Sequence, residues 1–259
     1  MRIVVKVGTS TLAHPTGLTN LRRVEELCRV LSDLKNAGHE VILVSSGAIG
    51  MGAGKLGLPE RPRDTAGKQA AAAVGQCELM YTYDRLFGEQ NHVVAQLLLT
   101  AEDFSQPTRR ENLERAMFRL LEMKALMIVN ENDTVATEEF GVGDNDTLSA
   151  LVAVAAKADL LVLLSDIDGL YTADPHTHPE AELMHLIPEI TEEIARMAGG
   201  SGSALGTGGM ATKLRAARMA TEAGMDMVIA NGGKPSVLYD IVEGTPVGTR
   251  FLARHGEEA

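Results

Sequence analysis

Two lysines stand at glycine-marked turns near opposite ends of this 259-residue chain. Lys6 interrupts the β-branched run Ile3-Val4-Val5-Lys6-Val7 just before Gly8-Thr9-Ser10. A lysine in such a run is costly to bury without an anionic partner. Lys213 follows a stretch crowded with glycine and small residues (199–209) and then Met210-Ala211-Thr212. Glycine-rich turns and helix starts present backbone amides suited to phosphate. Each lysine is therefore a candidate to deliver an ammonium to a phosphate at the end of a sheet. For Lys6, an edge strand with a solvated lysine is the alternative. Neither Lys213 nor Lys55 is a P-loop lysine: Thr212 precedes the first, and Leu56 follows the second where serine or threonine is required.

Three further clusters carry the groups that could hold a small anion or amine. Ser45-Ser46-Gly47-Ala48 ends an expected strand, and Ser46 with the Gly47 and Ala48 amides would suit a carboxylate. An ordinary capped helix start is the alternative. Asn130-Glu131-Asn132-Asp133 ends another strand, and Gly143-Asp144-Asn145-Asp146 precedes an apolar helix. An EF-hand starting at Asp144 would need glutamate at its twelfth position, where Ala155 stands. Asn145 or Asp146 could simply cap the helix. Two such clusters, each at a strand end or helix start, favour a site. His176 and His178 lack further ligands for a metal.

The elements that must position these groups alternate strand and helix. Strands are expected near 3–7, 40–44, 93–99, 126–129, 159–164, 225–230 and 247–251. Helices are expected after Thr19 or Asn20 with Gly38 closing, over 65–87, from Arg109 to about Lys124, over 148–157 and from Met210 through Ala223. Val24, Leu27, Cys28, Leu31 and Leu34 give the first helix one apolar face. A βαβ opening predicts a parallel sheet with helical crossovers, whose ligands bind outside the carboxyl ends of the strands. Gly52-Ala53-Gly54-Lys55-Leu56-Gly57 matches G-x-G-x-x-G, but no strand immediately precedes it. That disfavours a dehydrogenase and predicts a surface segment there.

Hydrophobic content of 45% suits one large α/β domain. The formal charge of −11 argues against a nucleic-acid partner, while leaving room for small anions drawn by local lysines. Cys28 and Cys77 have no ligand-like spacing, are expected as small apolar residues in helices, and fit a reducing cytoplasm. No apolar run approaches the roughly 20 residues of a membrane span, and Lys6 interrupts any signal-peptide pattern. The tail 255–259 is expected to fray.

In their order along residues 3–213, these motifs, with Ser165-Asp166 and Gly169-Leu170-Tyr171-Thr172-Ala173-Asp174-Pro175, resemble the amino-acid kinase family. The acidic clusters and the Thr207-Gly208-Gly209-Met210 loop resemble its glutamate branch. The resemblance implies a three-layer α/β/α sandwich around a mainly parallel sheet of about eight strands. It implies one kinase domain over residues 1–259, without the C-terminal PUA domain, akin to RNA-modification modules, that many relatives carry. The implied reaction is ATP-dependent phosphorylation of the γ-carboxylate of L-glutamate to L-glutamyl 5-phosphate, toward proline, with Mg²⁺ bridging the β- and γ-phosphates. Lys6 and Lys213 would neutralise the moving phosphoryl group, and Asp146 would orient both. Ser46, Gly47, Asp133 and Asn145 would bind glutamate. Lys6, Ser165, Asp166, Thr207, Gly208, Gly209, Met210, Ala211, Thr212 and Lys213 would bind the nucleotide. It further implies proline as feedback inhibitor, a homo-oligomer (dimer or tetramer), and product passed to glutamyl phosphate reductase. A sister kinase with another acidic substrate and a non-catalytic nucleotide-binding regulatory module remain alternatives.

Overall fold

The computed structural model describes residues 1–14, 18–136, 144–175, 177–198 and 209–254. The chain opens with β1 (Arg2–Val7), α1 (Thr9–Leu12), α2 (Leu21–Asn36), β2 (Glu40–Ser45), α3 (Ala48–Lys55) and α4 (Thr65–Gly88). Then come β3 (Val94–Leu99), α5 (Ala101–Ser105), α6 (Pro107–Glu122), β4 (Leu126–Glu131) and α7 (Asn145–Ala155). β5 (Leu160–Ser165), β6 (Leu186–Ile187), α8 (Glu192–Ala198), α9 (Met210–Glu222), β7 (Asp226–Asn231), α10 (Val237–Glu243) and β8 (Thr249–Phe251) follow.

The strands of the described residues form one eight-stranded sheet in the order β3-β4-β2-β1-β5-β7-β8-β6. Neighbours from β3 to β7 are parallel, β8 runs antiparallel to β7, and β6 parallels β8. β1 is thus a central strand, and Lys6 lies in register between Val44 and Leu163. The edge-strand alternative for Lys6 is therefore wrong. From β1 the chain steps to β2 on one side and later returns to β5 on the other. That reversal opens a crevice beyond the carboxyl ends of these strands.

Alternate strand residues face opposite layers. Val4, Val44, Val129, Leu163 and Ile229 pack with side chains of α6, α7 and α9. Ile3, Val5, Val7, Leu43, Ile128 and Leu164 pack with α2, α4 and α10. The layer architecture agrees with the sequence expectation. Lys6 shares the face of Val4 and so lies under α7, which settles what it meets.

Local signals account for most helix ends. The Asn20 side chain accepts the Arg23 amide at 3.2 Å, Gly38 ends the same helix at φ +97°, and all five apolar positions expected on α2 are buried. Of the glycine-rich segment expected at the surface, residues 54–57 are exposed, while Gly52 and Ala53 are buried within α3. A Cβ at Gly52 would stand 1.7 Å from the Ala71 carbonyl oxygen, and one at Gly75 1.8 Å from that of Ala48. Contact with α4 at backbone distance overrides the weak helix propensity of glycine. Cys28 is buried in α2, whereas Cys77 lies exposed on α4, contrary to its expected role as filler. The short elements α1, α5, α8, α10 and β6 were not expected. Among the described residues no helix is long and apolar enough to cross a membrane.

Candidate active site

β1 carries Lys6 to the crevice, and the first turns of α7 and α9 bring Asp146 and Lys213 against it. Lys6 Nζ forms an ion pair with Asp146 Oδ1 at 2.6 Å, and Lys213 Nζ reaches Oδ2 at 3.0 Å. Asp146 is 0% exposed, Lys6 9% and Lys213 5%. Burial alone would raise the Asp146 carboxyl, but the Lys6 and Lys213 ammoniums outweigh it and hold the group below its usual value. Asp146 therefore stays ionised throughout the neutral range. Thr212 Oγ1 adds a contact to Oδ2 at 2.9 Å and lies 2.7 Å from the Gly209 carbonyl. Its single proton is shared between two protein acceptors.

The triplet Asp144-Asn145-Asp146 divides its work by geometry. Asp144 caps α7, Oδ1 accepting the Thr147 amide at 2.8 Å and Oδ2 its hydroxyl at 3.0 Å. Neither Asn145 nor Asp146 is the cap, so both side chains are released into the crevice. Asn145 Nδ2 donates to Ser46 Oγ at 2.7 Å and to Asn130 Oδ1 at 3.1 Å. The start of α7 is thereby joined to the ends of β2 and β4. Gly47 is the N-cap of α3 at φ +104°, where a side chain would be strained. The Ser46 amide bonds to the Val7 carbonyl at 3.1 Å, fixing this turn against β1.

Asp133 follows β4 and makes no hydrogen bond to this group among the described residues. Burial raises its carboxyl, and the Arg61 guanidinium offsets part of that. Glu131 lies nearby with its carboxyl pushed up to about 7 by burial and by Asp133 and Asp144. On the other side of β1, Ser165 ends β5, its hydroxyl donating to Asp166 Oδ1 at 3.1 Å and its carbonyl accepting the Gly232 amide at 2.7 Å. Gly209, Met210, Ala211, Thr212 and Lys213 form the N-cap and first turn of α9. Thr207 and Gly208 lie outside the described residues, as do Gly143, His176 and the tail 255–259.

The structure thus unites Lys6, Asp146 and Lys213 in one ion cluster, and Ser46 and Asn145 in one polar tray. The sequence places Asn130 in a polar cluster but gives it no role of its own. Asn130 is the hub of the tray: its Oδ1 also accepts the Glu131 amide at 2.9 Å, and its Nδ2 donates to Gln76 Oε1 at 2.9 Å. Its position at a strand's carboxyl end was the available signal. Gln76, in the middle of a long helix, carried none.

The profile of the amino acid kinase family matches residues 1–231. Glutamate 5-kinase of Clostridium perfringens (strain 13 / Type A) is 51% identical over 260 residues, covering 99% of this chain and 97% of that protein. Glutamate 5-kinase of Symbiobacterium thermophilum is 54% identical, covering 96% of this chain and 95% of that protein. Among solved structures, carbamate kinase from Giardia lamblia bound to AMP-PNP superposes with a TM-score of 0.71 at 17% identity, covering 98% of each chain. UMP kinase from Bacillus anthracis gives 0.66 at 19% identity over 98% of this chain and 96% of that one. At such identities these two speak for the fold alone.

Proposed function

Because the chain belongs to the amino acid kinase family, we propose that it transfers the γ-phosphoryl group of ATP to the γ-carboxylate of L-glutamate, giving ADP and L-glutamyl 5-phosphate. The reading is supported by the naming of relatives that match nearly its whole length. One observation carries the chemistry: two lysines from remote parts of the sequence meet on one buried carboxylate, beside a tray of hydroxyl, amide and carboxamide groups.

The nucleophile in this reaction is a carboxylate, already ionised at neutral pH, so no general base is needed. The task is to bring two anions together and to neutralise the charge spread over the phosphoryl oxygens. Lys6 and Lys213 supply fixed positive charge from two sides, and Asp146 holds both ammoniums in place between turnovers. On the acceptor side, Ser46 and the Gly47 amide receive the α-carboxylate, while Asp133 and Asn145 Oδ1 take the ammonium. The nucleotide lies toward Ser165, Asp166 and the start of α9 through Lys213.

Both Asp146 oxygens face lysines, so a Mg²⁺ would be held by the nucleotide's phosphates and by water. There it would neutralise phosphate charge. Proline presents the same α-carboxylate and a charged amine, so we read it as a competitor for the glutamate site.

The test is ADP release with a panel of amino acids, with hydroxylamine present to trap acyl phosphate. Glutamate-dependent hydroxamate is the expected result. Hydroxamate formed only with another acidic acceptor would assign a sister activity instead.

A further inference from the structure

Gln76 and Tyr83 stand two turns apart on one face of α4, and each reaches the carboxyl end of a different strand. The Tyr83 hydroxyl lies 2.8 Å from Ser45 Oγ at the end of β2, and Ser45 Oγ lies 3.2 Å from the Ser46 carbonyl oxygen. Gln76 Oε1 accepts Asn130 Nδ2 at 2.9 Å on β4. Ser45 is wholly buried and Tyr83 is 0% exposed. Among the described residues, neither α4 side chain is hydrogen-bonded to Lys6, Asp146 or Lys213.

The direction of each bond follows from what the groups can give. The Ser46 carbonyl can only accept, so the one proton of Ser45 goes to it and Tyr83 must donate to Ser45 Oγ. Burial pushes the Tyr83 phenol up, so it remains a donor. In a trans peptide the N–H opposes the C=O, and no cis bond is present among the described residues. Pinning the Ser46 carbonyl toward Ser45 therefore points the Gly47 amide the other way. On β4, the Glu131 amide cannot accept, so Asn130 must show it Oδ1 and turn Nδ2 to Gln76. Asn145 must then offer Nδ2 to Asn130, leaving its Oδ1 for another donor. The same constraint leaves Gln76 Nε2 buried without a partner. An unpaired buried amide is unfavourable, and the hold on Asn130 is what it accompanies.

We propose that Gln76 and Tyr83 are positioning residues of the acceptor site, setting the Asn145 carboxamide and the Ser46–Gly47 peptide to receive an amino acid's ammonium and carboxylate. The proposal rests on the reading of the chain as a glutamate-phosphorylating kinase. It also makes α4 a determinant of acceptor binding although neither side chain joins the ion cluster.

The test separates the two halves of the reaction by steady-state kinetics on the full chain. Tyr83→Phe keeps the ring in the core and should raise the glutamate KM about 5-fold, with the ATP KM within about 2-fold of the parent. In a Ser45→Ala background the same change should add nothing further, because its effect runs through Ser45. An unchanged glutamate KM, or full additivity with Ser45→Ala, overturns the role of Tyr83. Gln76→Met should raise the glutamate KM about 10-fold, while Gln76→Glu, which keeps an acceptor toward Asn130, should stay within about 3-fold of the parent. Equal rises in both variants, or none in either, overturn the role of Gln76. A parent enzyme that phosphorylates a different acidic acceptor overturns the substrate reading instead, and the same variants are then compared on that acceptor's KM.

Discussion

Lys213 Nζ lies 3.0 Å from Asp146 Oδ2 at the facing N-terminal turns of α9 and α7, and Lys6 occupies the other oxygen of that carboxylate. Two ammoniums thus converge on one buried carboxylate, a concentration of positive groups suited to a polyphosphate. Both lysines should therefore act on the moving phosphoryl group. Lys6→Ala or Lys213→Ala should lower kcat about 10²-fold or more. Initial-rate measurements at saturating ATP and glutamate decide it, and a change confined to the ATP KM would assign these lysines to ground-state binding only.

Asp146→Asn leaves two nearly buried ammoniums facing an uncharged amide. Breaking such a pair destabilises by roughly 3–5 kcal/mol, so the melting temperature without nucleotide should fall. A non-hydrolysable ATP analogue should raise it more in the variant than in the parent, because the phosphates replace the lost counter-charge. Equal nucleotide shifts in the two proteins would mean that the lysines do not meet the phosphates.

Proline should raise the apparent KM for glutamate without lowering Vmax. Asp133→Asn and Asn145→Ala should weaken proline inhibition and glutamate affinity together. Inhibition that lowers Vmax at constant glutamate KM would place proline at a separate site.

Glu131 carries a carboxyl raised to about 7 by burial, with Asp133 and Asp144 adding to it. The folded protein then holds a proton that the unfolded chain, with an ordinary carboxyl near 4.3, has already lost. Stability from this group is present at acid pH and falls as pH rises from about 4.3 through about 7. Glu131→Gln should therefore raise the melting temperature strongly at pH 8 and much less at pH 5, near the lower end of that window. A shift of the same size at both values would show that ionisation of Glu131 is not involved.

Gly75 is fixed by the approach of α3 to α4, since a Cβ there would meet the Ala48 carbonyl oxygen at 1.8 Å. Gly75→Ala should cost about 3 kcal/mol in urea unfolding, at the upper end of overpacking losses. Because Ala48 begins α3 directly after Gly47, the glutamate KM should rise as well. Gly88→Ala, where a Cβ meets nothing within 4 Å, serves as the control and should leave the KM unchanged.

The parallel α/β plan was legible because it is written in short-range periodicity: β-branched runs, one apolar face per helix, and polar groups at strand ends. Lys6, Ser46, Asn145, Asp146 and Lys213 could be picked out because each stands near the end of a strand or the start of a helix, where a chain of this class gathers its ligand-facing groups. Three things needed the folded molecule. Which residue of Asp144-Asn145-Asp146 caps the helix depends on where the chain enters α7, and the cap at Asp144 is what frees the other two. The sequence reads Gly52 as part of a surface segment, whereas it is buried where α3 meets α4 at backbone distance, a contact that no local pattern records. Gln76 and Tyr83 are seven positions apart in a helix whose sequence gives no reason to single them out. Their partners, Asn130 and Ser45, lie on strands that become neighbours only when the sheet assembles. Local periodicity fixes which groups stand at the ends of strands and helices. The direction in which each donor and acceptor points is set by partners remote in the chain, and only the tertiary structure decides that.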